Sequence, residues 1–323
     1  MIIRMFRLGS VALICCAAAA CSPEGPDATH EPFTIIVVPD TQNAVDFRRQ
    51  LTEGFAIDSS ELFIAQMNYI ASRSGANGGD VAFVASVGDV WQHVTDARDP
   101  DHDARGIPVL EGVEIGFERF IHPEGTLNFE IPTAIEGYQL ISDAGIPFGV
   151  APGNHDYDAW WAAPVRGGGE RSVSVHIGGL DNFRMAFGSD SDFFRNQSWY
   201  VSAFEGGESS AQIFSAGGYE FLHLAFEMQA GDDVIEWARG VIAEYPGLPT
   251  IISTHDYLNA RGERLPGGSM DLALVDPAEN NSAEDIWQEF ISETDQIFMV
   301  LCGHQLGQAM RIDRNDAGHE VYQ

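Results

Sequence analysis

"FGVAPGNHDY", residues 148–157, joins an apolar run to a polar cluster. The run Phe148–Val150 and Ala151 are apolar on both faces, as in a central strand that is covered on both sides. Asn154, His155 and Asp156 follow after one short turn. Ligands of α/β sheets bind beyond the carboxyl ends of the strands, so the stretch predicts a strand that presents site residues at its end.

Four further apolar runs lead directly into polar residues that can bind a metal ion. If these strands are parallel, their carboxyl ends lie along one edge, and polar groups far apart in sequence meet there. The runs and their polar residues are "IIVVPDTQ" (35–42) with Asp40 and Gln42, "VASVGDVWQH" (84–93) with Asp89, "IISTHDY" (251–257) with His255, and "MVLCGHQ" (299–305) with His304.

The residue types in these clusters favour a divalent metal centre. Carboxylate and amide oxygens suit Mg, Mn or Ca, whereas imidazole suits Zn, Fe or Mn. Two ions about 3.5–4 Å apart can share one aspartate, and they activate water and clamp phosphate oxygens. The sequence contains no Gly-x-Ser-x-Gly elbow and no Walker loop that would indicate other hydrolytic chemistry.

In the order "PDTQ", "GDVWQ", "GNHD", "STHDY" and "CGHQ", the motifs resemble those of the calcineurin-like metallophosphoesterases. The resemblance covers most of residues 33–308, and "GNHD" is its most specific element. It implies an α/β fold, a four-layer α/β/β/α sandwich, and hydrolysis of a small-molecule phosphate mono- or diester. It also implies two divalent ions, drawn from Mn, Mg, Zn, Fe and Ca.

The resemblance also implies a role for each site residue. Asp89 would bridge the two ions. His155 would lie outside the coordination shell, as proton donor to the leaving oxygen or as a transition-state stabiliser, and Asp156 would orient it. The remaining ligands divide into one site of Asn154, His255 and His304 and another of Asp40 and Gln42.

Two departures from the family pattern fall on the site that contains Asp40. Gln42 replaces the usual histidine but keeps an amide oxygen, whereas Leu306 replaces a second histidine and cannot coordinate a metal. Gln305 should point away from the site in an extended chain. The alternative is therefore a degenerate member with one metal site or none, acting as a non-catalytic binding lipoprotein.

Alternating apolar strands and amphipathic helical patterns predict one layered α/β domain over residues 33–323. A hairpin is expected between "SWYVSAF" (198–204) and "AQIFSA" (211–216), and long irregular loops at 92–131 and 158–198. The final "HEVYQ" resembles a strand without a closing turn. It is consistent with a domain that continues past Gln323 or with a second sheet that lacks an edge strand.

The charge of the chain argues against nucleic acid as a partner. The formal net charge is −31, and all 17 basic residues are arginines. Nucleic acids and anionic membranes attract basic surfaces, so neither is an expected partner of the domain itself. "DPDHDAR" (99–105) is capable of binding a cation, but the pattern favours a solvated acidic loop.

Residues 1–20 resemble an export signal, with basic Arg4 and Arg7 followed by an apolar stretch. "AAAC" resembles a lipobox, which would make Cys21 the lipidated first residue of a bacterial lipoprotein; an ordinary signal peptide is the alternative. Residues 22–32 then form a flexible tether. The expected location is the periplasmic side of a bacterial membrane, with membrane contact only through the lipid anchor, or secretion.

Overall fold

The computed structural model describes residues 31–113, 116–168, 172–264 and 270–323. The predicted signal peptide, Cys21 and residues 22–30 of the tether lie outside these ranges, so the leader and its lipid anchor stay predictions. Among the described residues, no helix combines the length and the apolar character that a membrane span requires.

The described strands fall into two large sheets and one separate hairpin. The strands are β1 Thr34–Val38, β2 Val81–Ser86, β3 Phe148–Val150, β4 Ala159–Pro164, β5 Val173–Gly178, β6 Tyr200–Phe204, β7 Ser209–Ala216, β8 Tyr219–Ala225, β9 Thr250–Ser253, β10 Ile297–Leu301, β11 Ile312–Arg314 and β12 Glu320–Tyr322. The first sheet is parallel throughout, in the order β1-β2-β3. The second has the order β11-β12-β10-β9-β8-β7-β6, with β8, β9, β10 and β12 parallel.

The described residues contain eight α-helices and two π-helical turns. The α-helices are α1 Gln42–Val45, α2 Ser59–Ser72, α3 Pro100–Ala104, α4 Pro123–Gly125, α5 Ile131–Asp143, α6 Asp181–Phe187, α7 Asp232–Glu244 and α8 Ala283–Ile286. The π-helical turns are Thr126–Glu130, between α4 and α5, and Trp287–Ile291, after α8. Short 3₁₀ turns occur at Leu51–Glu53, Gly75–Asn77, Glu118–Phe120, Asn154–Asp156 and Leu272–Leu274.

The two large sheets pack face to face through an apolar layer. Phe83 of β2 stacks on Phe214 of β7 with ring centroids 4.4 Å apart, and Ile251 of β9 is buried in the same cluster. Burial of an aromatic or aliphatic side chain of this size contributes about 1.5–3 kcal/mol. This layer fixes the two sheets to one another and brings their strand ends into a common arrangement.

The outer face of each sheet is covered by helices. Phe63 and Met67 of α2 and Tyr138 of α5 pack in one core with Val84 of β2. On the other side, helices α7 and α8 pack against β8, β9 and β10, with Val234 buried in that core. The order is therefore helices, three-stranded sheet, seven-stranded sheet, helices, which confirms the predicted four-layer α/β/β/α sandwich.

The region at 158–198, predicted to be an irregular loop, contains regular structure. Strands β4 and β5 form an antiparallel hairpin, and α6 follows. The β4 sequence "AWWAAP" has three alanines and a proline, which are poor strand formers, so burial of Trp160 and Trp161 decides its conformation. The predicted hairpin at 198–216 is confirmed as β6 and β7.

Candidate metal centre

All eight site residues predicted from the motifs follow the carboxyl ends of five strands, in loops or short helical turns. The loops follow β1, β2 and β3 in the first sheet and β9 and β10 in the second. The first sheet supplies Asp40, Gln42, Asp89, Asn154, His155 and Asp156, and the second supplies His255 and His304.

His255 forms the centre of the closest group. Its ring is fully buried, and Nδ1 lies 2.8 Å from the carbonyl oxygen of Val87. Nε2 lies 3.1 Å from Asn154 Oδ1, 3.2 Å from Asp89 Oδ1 and 3.0 Å from His304 Nδ1. Because a carbonyl can only accept, Nδ1 carries the proton and donates it to Val87, which leaves the Nε2 lone pair facing the other three groups.

A bound cation satisfies the lone pairs around Nε2 of His255 better than neutral side chains alone do. The oxygens of Asn154 and Asp89 are acceptors, so with a neutral His255 ring several lone pairs converge on one point. Burial opposes a charge on the ring, yet the Asp89 carboxylate overrides it and raises the pKa of His255 to about 9. The site thus favours positive charge, and the nitrogen and oxygen donors fit a divalent transition metal.

Asp89 is held on both sides of its carboxylate. Oδ1 accepts the backbone N–H of His155 at 2.9 Å, and Oδ2 accepts Gln42 Nε2 at 3.0 Å. Burial would raise the pKa of Asp89, but the adjacent His255 and His155 hold it well below its ordinary value. Asp89 is therefore ionised and fixed in orientation, as a bridging ligand requires.

Two ligand candidates have backbones in the left-handed region. The φ angles of Asp89 and His304 are 54° and 64°. Residues other than glycine adopt this conformation at a cost of about 1–2 kcal/mol. Such strain persists where the surrounding structure imposes it, and it is concentrated at functional sites.

Gly153 allows the loops after β2 and β3 to approach closely. A Cβ atom at this position would lie 2.4 Å from both the backbone nitrogen and Oδ1 of Asp89, and 2.8 Å from Cε1 of His255. Glycine is therefore required for Asn154 to reach the group around His255.

His155 is oriented by Gln92, and the prediction that Asp156 orients it is wrong. Nδ1 of His155 lies 2.6 Å from the carbonyl oxygen of Gln92, and Nε2 lies 4.0 Å from Asp89 Oδ2. Asp156 instead accepts backbone N–H groups of Gly153 and Val90, both at 2.8 Å. It fastens the loop after β3 to the loop after β2, so it positions both loops and has no bond to the His155 ring.

The predicted second site is only partly assembled around Asp40. Oδ1 of Asp40 accepts the backbone N–H of His304 at 2.9 Å. Within the described residues, the group of ligand atoms that lie within 4.8 Å of one another contains Asp89, His255 and His304, but not Asp40. Gln42 Oε1 is buried and accepts no hydrogen bond, so one unsatisfied oxygen lies next to Asp89.

Leu306 lies outside the cluster. Its side chain is 97% exposed, and the chain after His304 bends instead of continuing as a strand. Gln305 donates to Asp256 Oδ1 at 2.9 Å and contacts no predicted ligand. The expectation for Gln305 assumed an extended chain, whereas residues 304–307 bend. Leu306 offers no ligand atom in either conformation.

A buried network behind His155 has no signal in the sequence. Glu130, which is fully buried, accepts the backbone N–H groups of Gln92 and His93 at 3.1 and 3.0 Å. The other carboxylate oxygen lies 2.6 Å from His93 Nδ1. Glu130 thus holds the peptide segment whose Gln92 carbonyl contacts His155, although it lies 38 residues away in sequence.

Comparisons with known proteins do not assign the chain to a family. No family model matches it. It is 25% identical over 179 residues to the uncharacterized protein YvnB of Bacillus subtilis strain 168, a match that covers 55% of this chain and 11% of YvnB. Its structure is similar to that of a dimetal phosphatase from Danio rerio, with a TM-score of 0.44 and 12% sequence identity over 90% of this chain and 86% of the other.

Proposed function

We propose that this protein is a metal-dependent phosphoesterase that hydrolyses a phosphate mono- or diester of a small molecule. The observation that supports this most strongly is the convergence of Asp89, Asn154 and His304 on Nε2 of His255. The resemblance of the five motifs to metallophosphoesterases supports the same function.

The proposed ligands divide as the motif order implies. Asn154, His255 and His304 hold one ion together with Asp89, while Asp40 and the unsatisfied Gln42 Oε1 serve a second ion with Asp89 as the bridge. An ion bound there lowers the pKa of water and stabilises charge on phosphoryl oxygens.

His155 is the proposed proton donor in the reaction. Its Nδ1 is fixed by the Gln92 carbonyl, so Nε2 is the ring nitrogen left to face a substrate. A water would attack phosphorus and release one proton to solvent, and the bond to the leaving group would break. The imidazolium form of His155 would give its Nε2 proton to the leaving oxygen and regain a proton from solvent. Hydrolysis then needs no covalent protein intermediate.

A second candidate function is a protein with one metal ion and no phosphoesterase activity. It is favoured by the position of Asp40 outside the group of Asp89, His255 and His304. The two candidates differ in turnover, because both bind at least one ion but only the first hydrolyses an ester.

The test begins with protein from which metal has been removed. Mn, Mg, Zn or Ca is then added, and turnover of nitrophenyl phosphate mono- and diesters is measured. We expect activity with at least one metal and its loss in Asp89→Asn, while Asp190→Asn, an exposed control, keeps wild-type activity. Metal binding without turnover on either ester class supports the second candidate. Absence of both metal binding and turnover contradicts both.

A further inference from the structure

Three segments outside the candidate metal centre bring His102, His176 and Asp276 together. His102 lies on α3, His176 on β5, and Asp276 after the turn Leu272–Leu274. One ligand atom from each lies within 4.8 Å of the others. No motif of the proposed phosphoesterase uses any of these residues.

His176 is buried with neither ring nitrogen satisfied. Only 1% of the residue is exposed, and Nδ1 and Nε2 both lack a hydrogen-bond partner. His223, which is buried in the inter-sheet region, shows the usual alternative: its Nδ1 lies 2.7 Å from Gln212 Oε1 and its Nε2 lies 2.8 Å from Ser253 Oγ. A buried polar group without a partner costs about 1–3 kcal/mol, so a ligand at His176 is strongly favoured.

His102 is already oriented as a metal ligand is. Its Nδ1 forms a short hydrogen bond with Oδ2 of Asp99, and Oδ1 of Asp99 accepts the backbone N–H of Asp101 at 2.9 Å. A carboxylate bound to one ring nitrogen fixes the tautomer and leaves the other nitrogen as the ligand atom. The expectation of a solvated acidic loop at 99–105 is wrong for Asp99, which is buried, and for His102, which is half-buried.

Asp276 supplies the anionic member of the group. It is 5% exposed, and its buried Oδ2 has no hydrogen-bond partner. Nη1 of Arg105 lies 3.4 Å from this oxygen and 3.3 Å from Glu279 Oε1. Arg105 therefore competes with a cation for Asp276. If a cation binds Asp276, Arg105 can still pair with the carboxylate of Glu279.

Aromatic packing holds the two histidine rings next to one another. The rings of His102 and His176 meet edge to face at 4.9 Å, and Trp161 packs edge-on against both. A Cβ atom at Gly178 would lie 2.4 Å from Asp99 Oδ2 and 2.6 Å from His102 Nδ1. Glycine at 178 is thus necessary for the Asp99–His102 pair to approach β5.

The surroundings attract cations. His102 and His176 line a cavity of about 880 Å³ whose wall carries ten carboxylates and three arginines, a formal difference of −7 with neutral histidines. Clefts lined by charge of one sign raise the local concentration of the opposite ion.

We propose that His102, His176 and Asp276 form a zinc site that is separate from the candidate metal centre. Two imidazoles and one carboxylate are a recognised zinc ligand set, and a water completes the tetrahedron. The bound ion joins α3, β5 and the segment at 276, which have no continuous secondary structure between them. This site does not depend on the proposed phosphoesterase activity.

Zinc content measured after equilibrium dialysis tests the site in solution. We expect Asp276→Asn, which preserves side-chain size, to bind one zinc ion fewer than the wild type. Asp233→Asn removes the same charge from the wall of the cavity that His102 and His176 line, and it should keep the wild-type content. Asp89→Asn should also retain this ion, which separates it from the candidate metal centre.

Anomalous diffraction at the zinc edge from wild-type crystals grown with zinc tests the same site without any substitution. The proposal expects a peak about 2.0–2.2 Å from ligand atoms of His102, His176 and Asp276. Water or no density at that position, or equal zinc contents for Asp276→Asn and Asp233→Asn, would overturn it.

Discussion

At the level of single residues, the proposed function gives His255 and His155 different roles, one as a metal ligand and the other as a group that faces the substrate. His255 has one ring nitrogen bound to the Val87 carbonyl and the other surrounded by metal-competent atoms. His155 has one nitrogen bound to the Gln92 carbonyl and the other 4.0 Å from Asp89. The same amino acid therefore takes different roles because different backbone carbonyls fix its ring.

Replacement of His155 by alanine should reduce turnover without loss of metal. Removal of a general acid costs about 10²–10⁴-fold in rate, and the ligands around His255 are left in place. The measurements are kcat and metal content of the same preparation. His255→Ala is the comparison, because it should lose both; equal loss of metal in the two variants would contradict the separation of roles.

Leu306→Ala should leave metal content, turnover and stability close to wild-type values. The side chain is 97% exposed, and exposed positions usually change the free energy of unfolding by no more than about 0.5 kcal/mol. Metal titration and thermal unfolding measure the effect. A fall in metal affinity comparable to that of His304→Ala would show that residue 306 enters the site in solution.

At the level of elements, the backbone of the loop after β2 is held by carboxylates from elsewhere in the chain. Asp156 binds the N–H of Val90, and Glu130 binds those of Gln92 and His93. Asp156 also binds the N–H of Gly153 in the loop after β3. Both carboxylates hold loop backbone, so they are positioning residues.

Glu130→Gln should lower kcat and leave the metal content unchanged. Oε2 of Glu130 accepts the N–H groups of Gln92 and His93, and Oε1 contacts His93 Nδ1 and the N–H of Phe47. An amide has only one oxygen and cannot satisfy both sides, so the segment that carries the Gln92 carbonyl is held less firmly and His155 is less well oriented. Loss of such supporting contacts costs about 10–100-fold. Glu136→Gln, an exposed substitution on helix α5, which begins directly after Glu130, is the control. If Glu130→Gln lowers the free energy of unfolding but leaves kcat unchanged, Glu130 has a structural role only and the prediction is contradicted.

Long apolar strands and their polar ends can be predicted from the sequence because each is a local pattern. The carboxyl ends of β2 (Val81–Ser86) and β10 (Ile297–Leu301) fall inside the runs at 84–93 and 299–305, and Asp89 and His304 follow these strand ends. The β4 strand, the Glu130 network and the His102–His176 contact depend on partners distant in sequence. Nothing near Glu130 or His176 in the chain indicates what either will contact.

At the level of the whole molecule, many of the acidic side chains lie around the cavity that His102 and His176 line. Burial and the nearby Glu208, Asp233 and Glu279 raise the pKa of Glu227 to about 8. Burial likewise raises the pKa of Glu208 to about 7, although Arg184 opposes the shift. Both carboxyls therefore hold protons in the folded protein at pH values where the unfolded chain has released them.

Glu227→Gln should stabilise the metal-free protein increasingly as pH rises. The folded pKa of about 8 lies above the ordinary 4.5, so folding takes up a proton between these values and the free energy of unfolding falls as pH increases through that window. We expect a higher unfolding midpoint than wild type at about pH 9 and a small difference at about pH 5. Thermal unfolding in chelator measures both.

Glu244→Gln, an exposed substitution on α7, is the control for that experiment and should show no such trend. A constant difference between Glu227→Gln and wild type across the pH range would contradict the raised pKa.

The most direct measurement is a metal titration in which bound metal and ester hydrolysis are followed in the same sample of chelator-treated protein. The proposed function predicts that the rate increases as the group around His255 fills and reaches a plateau when it is saturated. His304→Ala should require far more metal to reach any given rate. Saturation of the site with the rate still at that of buffer, for both mono- and diesters and for every metal tested, would contradict the proposal.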